Sequence, residues 1–178
     1  MKNHSTLNVL FLCTHNSARS ILAEAILNQL GGGKEQQRFR GFSAGSSPRD
    51  NQQPNPLALS VLKDAGIPIE GLRSKSWDEF ALPDAPRMDL VITVCDNAAG
   101  EVCPFWPGQP ATAHWGYPDP SEAIGTDDQK QRAFKNTLVA MHKRLELLVN
   151  LPLAGLDRLR LQQRVRELAN TGSSDGSV

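Results

Sequence analysis

The chain has 178 residues, enough for one domain with a real core. Lys plus Arg and Asp plus Glu number 19 each, so the formal net charge is zero, and nothing in that balance supports a nucleic-acid or anionic-membrane partner. No apolar run approaches the roughly 20 residues of a membrane span. The mostly polar start, Met1 to Asn8, leads straight into a strand-like run and lacks the pattern of a secretory signal, so a cytoplasmic protein is expected. Three cysteines are an odd count, which argues against a static disulfide framework and leaves chemistry, a metal or chance burial.

In chain order, residues 7–13 (LNVLFLC) read as a buried strand. Ala18 to Leu30 reads as a helix with Leu22, Ala25, Ile26 and Leu30 on one face, ended by Gly31-Gly32-Gly33. Residues 38–44 (RFRGFSA) read as a second strand. Asn55-Pro56 starts a helix, Leu57, Val61, Leu62 and Ala65 give its face, and Gly66 stops it. Residues 88–95 (MDLVITVC) read as another buried strand and 111–115 as a short one. Phe134, Leu138, Met141, Leu145 and Leu148 then line one side of a long helix, and Gly155 to Leu168 forms a last one. Strands alternating with helices imply an α/β fold, a three-layer α/β/α sandwich around a central four-stranded parallel sheet. A single domain over residues 1–170 is expected, with a disordered polar tail at 171–178. Right-handed crossovers leave all strand C-terminal ends on one edge, where such sheets bind ligands. Cys13 and Cys95 each end a buried run and so fall on that edge.

Cys13 is followed by the turn Thr14-His15-Asn16-Ser17-Ala18 and then by Arg19 and Ser20 at a helix start. Unpaired backbone N–H groups and the helix dipole make that junction a natural anion site. Arg19 adds a planar, bidentate grip on a tetrahedral oxyanion, and Ser20 can donate a hydrogen bond to the sulfur. The same positive field predicts a lowered Cys13 pKa, hence a thiolate nucleophile facing a bound oxyanion. The bland alternative is a buried strand cysteine beside a solvated arginine. The strand before, the helix after and Ser20 in its place favour the chemical reading.

The loop CTHNSARS resembles the signature of the low-molecular-weight protein tyrosine phosphatase fold. The downstream VCDNAAGEVCPFWPGQPATAHWGYPDPSEAIG narrows the likeness to the arsenate reductases built on that fold, over roughly Asn8 to Asn150. By spacing alone, Cys95 and Cys103 fit no C-x2-C zinc pair and read as buried residues or a redox pair. Ala98-Ala99-Gly100 between them allows rearrangement, which matters because a disulfide needs Cα atoms within about 7 Å. The resemblance implies a relay for arsenic detoxification. Cys13 attacks arsenate, Cys95 attacks Cys13 and releases arsenite, and Cys103 attacks Cys95. It implies no bound cofactor and an external thiol reductant, thioredoxin or glutaredoxin with glutathione. Some reductases of this fold carry a second cysteine inside the loop. Position 18 is Ala here, so the relay must use Cys95.

Asp119 lies between Pro118 and Pro120 in YPDP, where it is either a turn aspartate or an acid held for proton transfer. The resemblance makes it the general acid. It also implies a potassium site beside the loop, with Asn16, Glu24, Ser43, Ser76 and Asp78 as ligands. His114 and Trp115 read as packing and loop support. Arg158, Arg160, Arg164 and Arg166 in the last helix form either a docking patch for an acidic partner or a solvated face beside an apolar one.

Two rival functions follow. A phosphotyrosine phosphatase would use the same loop and acid, but such enzymes carry aromatic residues just after the Asp-Pro, and Ser121, Glu122 and Ala123 stand there. It would also leave Cys95 and Cys103 without a role. A non-catalytic anion sensor would not need the nucleophile, arginine and acid together.

Overall fold

The computed structural model describes residues 6–31, 38–95, 109–153 and 156–170. Four strands, β1 (Leu7–Cys13), β2 (Phe39–Gly45), β3 (Leu90–Thr93) and β4 (Ala111–His114), form one sheet in the order β2-β1-β3-β4, with every pairing parallel. The α-helices among the described residues are α1 (Arg19–Leu30), α2 (Pro56–Asp64), α3 (Asp127–Val149) and α4 (Arg158–Leu168). Short 3-10 turns occupy Trp77–Ala81 and Pro120–Glu122.

Strand alternation sorts β1 onto two faces. Val9, Phe11 and Cys13 join the larger core with residues of all four helices, among them Leu22, Leu62, Phe134 and Val165. Leu10 and Leu12 face a smaller cluster with Ala44, Trp77, Phe80, Met88 and Val91. The three layers are therefore unequal: helices cover one face, and the turn at Trp77–Ala81 covers the other. β1 sits at the centre and reads as an unbroken apolar run because both its faces are buried.

The local chemistry of each start is visible. Asn55 caps α2 by accepting from the Leu57 N–H, with Pro56 at the first helical position. Thr126 and Gln129 cap each other at α3, and the predicted stripe from Phe134 to Leu148 is buried as expected. Ala58, not Ala65, completes the buried face of α2, and Ala65 is exposed at its C-terminal cap. β3 is shorter than predicted. Val94 N still donates to Leu12 O at 2.8 Å, but Cys95 lies just past the strand.

β4 is an edge strand, and α4 covers its open side. Thr112 N donates to Gln162 Oε1 at 3.0 Å, and Arg166 Nε donates to Thr112 O at 2.9 Å. Trp115 Nε1 donates to Val165 O at 2.9 Å. Arg158 also binds a backbone carbonyl, that of Gln109, at 3.2 Å. Two of the four clustered arginines thus fasten the helix to the sheet edge, a use that neither the docking nor the solvated-face reading contained. Among the described residues no helix is long and apolar enough to cross a membrane. The expected tail at 171–178 lies outside the described residues.

Candidate active site

The loop Thr14 to Ala18 joins the central strand to the N-terminus of α1. Asn16 sits in the left-handed region at φ 56°, which Asn tolerates. Two neighbours pin it there: Ser74 Oγ donates to its carbonyl at 2.6 Å, and the Lys75 N–H donates to its Oδ1 at 3.0 Å. Gly45, next to Cys13 in register, makes room for the turn, since a Cβ there would stand 2.6 Å from Thr14 O and 2.9 Å from Asn16 N. Ser17 O accepts from Asn55 N at 2.8 Å, and His15 Nδ1 lies 3.0 Å from Ser47 O. Ala18 precedes α1 without any side-chain cap, so the first-turn N–H groups face the loop.

The Asn16 amide has a fixed orientation. A backbone N–H only donates, so Asn16 Oδ1 must face Lys75. Asn16 Nδ2 then donates to Ser20 Oγ at 2.8 Å. Ser20 Oγ also lies 2.8 Å from Cys13 Sγ, and a thiolate there can only accept the serine hydroxyl hydrogen. The Asn16 N–H donates to the same sulfur at 3.2 Å. Asn16 and Ser20 are both fully buried, so the chain is shielded from competing water.

The lowered Cys13 pKa expected from the sequence does not hold for the ligand-free site. Burial pushes the thiol above its usual value, and Ser20 and the Asn16 N–H only partly oppose this; Cys95 adds to the rise. Four per cent of Cys13 is exposed, and desolvation of a thiolate outweighs neutral donors. The donors are in place, but the resting group is a thiol.

Cys95 is the second buried, free thiol of the site, and its Sγ lies 3.6 Å from Thr14 Oγ1. β1 and β3 are adjacent, with Leu12 opposite Thr93. Cys95 follows β3 by two residues, and both thiols belong to the larger core cluster. Cys103 lies outside the described residues.

Arg19 and Asp119 meet across the mouth of the loop. Arg19 Nη1 donates to Tyr117 O at 2.9 Å, and Nη2 lies 3.5 Å from Asp119 Oδ2. Asp119 Oδ1 is engaged separately, accepting from Ser121 N at 2.9 Å and Ser121 Oγ at 2.7 Å. One carboxylate oxygen is therefore a turn cap, and the other stands beside Arg19. The Tyr117 ring lies under Arg144, whose guanidinium is 4.9 Å from its centroid and 5.6 Å from that of Trp115. Arg144 Nη2 also donates to Ala169 O at 3.1 Å.

The five positions expected to hold potassium are partly engaged with one another and with Lys75. Both ends of the Asn16 amide are committed. Ser43 Oγ donates to Glu24 Oε1 at 2.8 Å, and Ser76 Oγ accepts from Asp78 N at 3.2 Å. A positive group already stands among them: Lys75 Nζ donates to Ser43 O and Arg73 O, both at 2.8 Å, and lies 3.9 Å from Glu24 Oε1. Burial pushes the Glu24 carboxyl up against the pull of Lys75, and pushes Lys75 down against the pull of Glu24.

Sequence reasoning missed Ser74, Lys75, Gly45, Tyr117 and Arg144. Only Tyr117 carried a signal, since it belongs to the HWGYPDP stretch; the others are remote in sequence from what they hold.

The low molecular weight phosphotyrosine protein phosphatase family matches residues 8–163. An arsenate reductase of Halalkalibacterium halodurans is 36% identical over 140 residues, covering 78% of this chain and 91% of its own. A solved arsenate reductase in the phosphate binding state superposes with a TM-score of 0.59 at 27% identity, covering 81% of this chain and 97% of its own. The thioredoxin-dependent arsenate reductase of Corynebacterium glutamicum gives 0.52 at 27% identity, covering 83% of this chain and 65% of its own. A strand-ending cysteine, a turn held open by Gly45 and an arginine at the helix start are thus set in a shared framework, and the chain belongs to the low molecular weight phosphotyrosine protein phosphatase family, with arsenate reductases among its relatives.

Proposed function

We propose that the protein reduces arsenate to arsenite through a relay of Cys13, Cys95 and Cys103. The observation that carries this is the pair of buried, free thiols, one ending β1 and the other just past the neighbouring β3. Hydrolysis through a phosphocysteine needs one thiol there; reduction needs two within reach.

Arsenate binds on the loop N–H groups, and Arg19 turns from Tyr117 O and Asp119 to grip it. The Cys13 sulfur bonds to arsenic as one hydroxyl leaves. The thiol proton and that hydroxyl depart together as water, with Asp119 Oδ2 passing the proton. The resting thiol suits this step, because dianionic arsenate can accept the proton that burial retains on sulfur. The Cys95 thiol then attacks Cys13. A sulfur–sulfur bond forms, the sulfur–arsenic bond breaks, and its electron pair stays on arsenic, which leaves as arsenite with the Cys95 proton. Two sulfurs are oxidised and arsenic gains two electrons. Cys103 attacks Cys95 and frees Cys13, and an external dithiol reduces the last disulfide. A thioredoxin partner is supported by the C. glutamicum relative; glutaredoxin with glutathione is the alternative. Such reductants belong to the cytoplasm.

The test is turnover of arsenate with NADPH and a thioredoxin/thioredoxin reductase system, run in parallel with glutaredoxin and glutathione. Wild type should consume NADPH only with arsenate, and Cys13→Ser, Cys95→Ser and Cys103→Ser should all be inactive. Silence in both systems, with hydrolysis of an aryl phosphate that needs Cys13 alone, would make the protein a phosphatase. The family match supports that second reading.

A further inference from the structure

We infer that the Lys75 ammonium is a built-in cation that takes the place of potassium beside the loop, so that the site is complete without any free monovalent ion. The ammonium is enclosed by oxygens: the Ser43 and Arg73 carbonyls each accept from it, and Glu24 Oε1 stands opposite at 3.9 Å. The Lys75 and Glu24 side chains are only 9% and 12% exposed. A carboxylate so enclosed requires a positive neighbour, and here that neighbour is covalently part of the chain.

Lys75 serves the nucleophile twice. Its ammonium neutralises Glu24, which accepts the Ser43 hydroxyl from β2. Its backbone N–H fixes Asn16 Oδ1, the first link of the chain that ends on Cys13 Sγ. Ser43 pairs with Phe11 in register, two residues before Cys13. A second cation among these oxygens would meet Lys75 as a like charge, with Glu24 Oε1 already accepting from Ser43. Tethering also removes the entropy and concentration dependence of capturing an ion.

Thermal unfolding reads this independently of the reaction. Wild type in KCl, NaCl and choline chloride at matched ionic strength should melt within one degree of the same temperature, by the inference itself. A stabilisation of several degrees specific to potassium would overturn it. Lys75→Met should lose roughly 5–10 °C, since it leaves Glu24 buried and unpaired, and should regain part of that loss in potassium. A folded Lys75→Met with no potassium response would show that these oxygens are no cation site. Should Lys75→Met fail to fold, the double variant Glu24→Gln/Lys75→Met decides. A cooperative melt near that of wild type supports the charge pairing, and the same failure to fold refutes it.

Discussion

Replacing Ser20 by Ala tests its hydrogen bond to the Cys13 thiolate. Ser20 Oγ lies 2.8 Å from Cys13 Sγ, and once the sulfur ionises it can only accept, so the serine hydroxyl donates to it. A hydrogen bond to a charged group contributes about 1.5–3 kcal/mol. The Asn16 N–H at 3.2 Å remains, so the lower end applies, and the thiolate population should fall about tenfold at neutral pH. The assay is the rate of Cys13 alkylation by iodoacetamide against pH, in a Cys95→Ser/Cys103→Ser background, read by mass spectrometry. The parent rate should still be climbing above the ordinary thiol range, because burial holds the proton on sulfur. Ser20→Ala should react about tenfold more slowly near pH 7 and shift the profile to higher pH. Asn16→Asp should slow it too although Ser20 is intact, because the serine hydroxyl would turn toward the new carboxylate. Profiles that overlay, or that shift to lower pH, would mean that Ser20 does not donate to the sulfur.

Gly45→Ala should abolish phosphate binding, measured by calorimetry, while circular dichroism keeps the sheet signal, since its Cβ would press on the Thr14 and Asn16 backbone. Arg144→Ala should cost roughly 2–4 kcal/mol in urea unfolding, from lost stacking on Trp115 and Tyr117 and the lost bond to Ala169 O. It should also raise KM for the oxyanion more than it lowers kcat, because Tyr117 O holds Arg19. The Cys13 thiol is raised in the folded state, so its contribution to stability is present below the ordinary thiol value and is lost as pH rises through the folded value. Wild type should therefore lose more melting temperature at alkaline pH than Cys13→Ser does.

The legible parts of this fold were those with a local physical cause. A double-sided apolar run marks a central strand, which is why β1 was readable from LNVLFLC. An Asn-Pro pair marks a helix start, and a heptad-like stripe marks α3. The loop was legible because a cysteine, a short turn and an arginine at a helix start have few uses together. Lys75 was not legible. Nothing in SKSWD distinguishes an ammonium folded back onto Ser43 O from one in solvent, and the five potassium positions came from resemblance, which is blind to a charge standing among them. The Cys13 pKa was misread for a related reason. A helix N-terminus is visible in sequence, but the burial of the sulfur depends on tertiary packing in the larger core, where Phe11, Ala18 and Val94 are buried with Cys13.

The clasp between α4 and the outer strand bears on solubility. Gln162 and Arg166 occupy the N–H and C=O of Thr112 that would otherwise stand ready to pair with another chain, and Val165 and Leu168 cover the apolar side behind it. A chain cut after residue 156 would keep Cys13, Arg19, Cys95 and Asp119. It would also expose a bare strand edge beside the Trp115 ring. Such a truncation should reveal itself first as concentration-dependent turbidity, before any loss of oxyanion binding per soluble molecule, and the last helix would then be read as the element that keeps this sheet from growing.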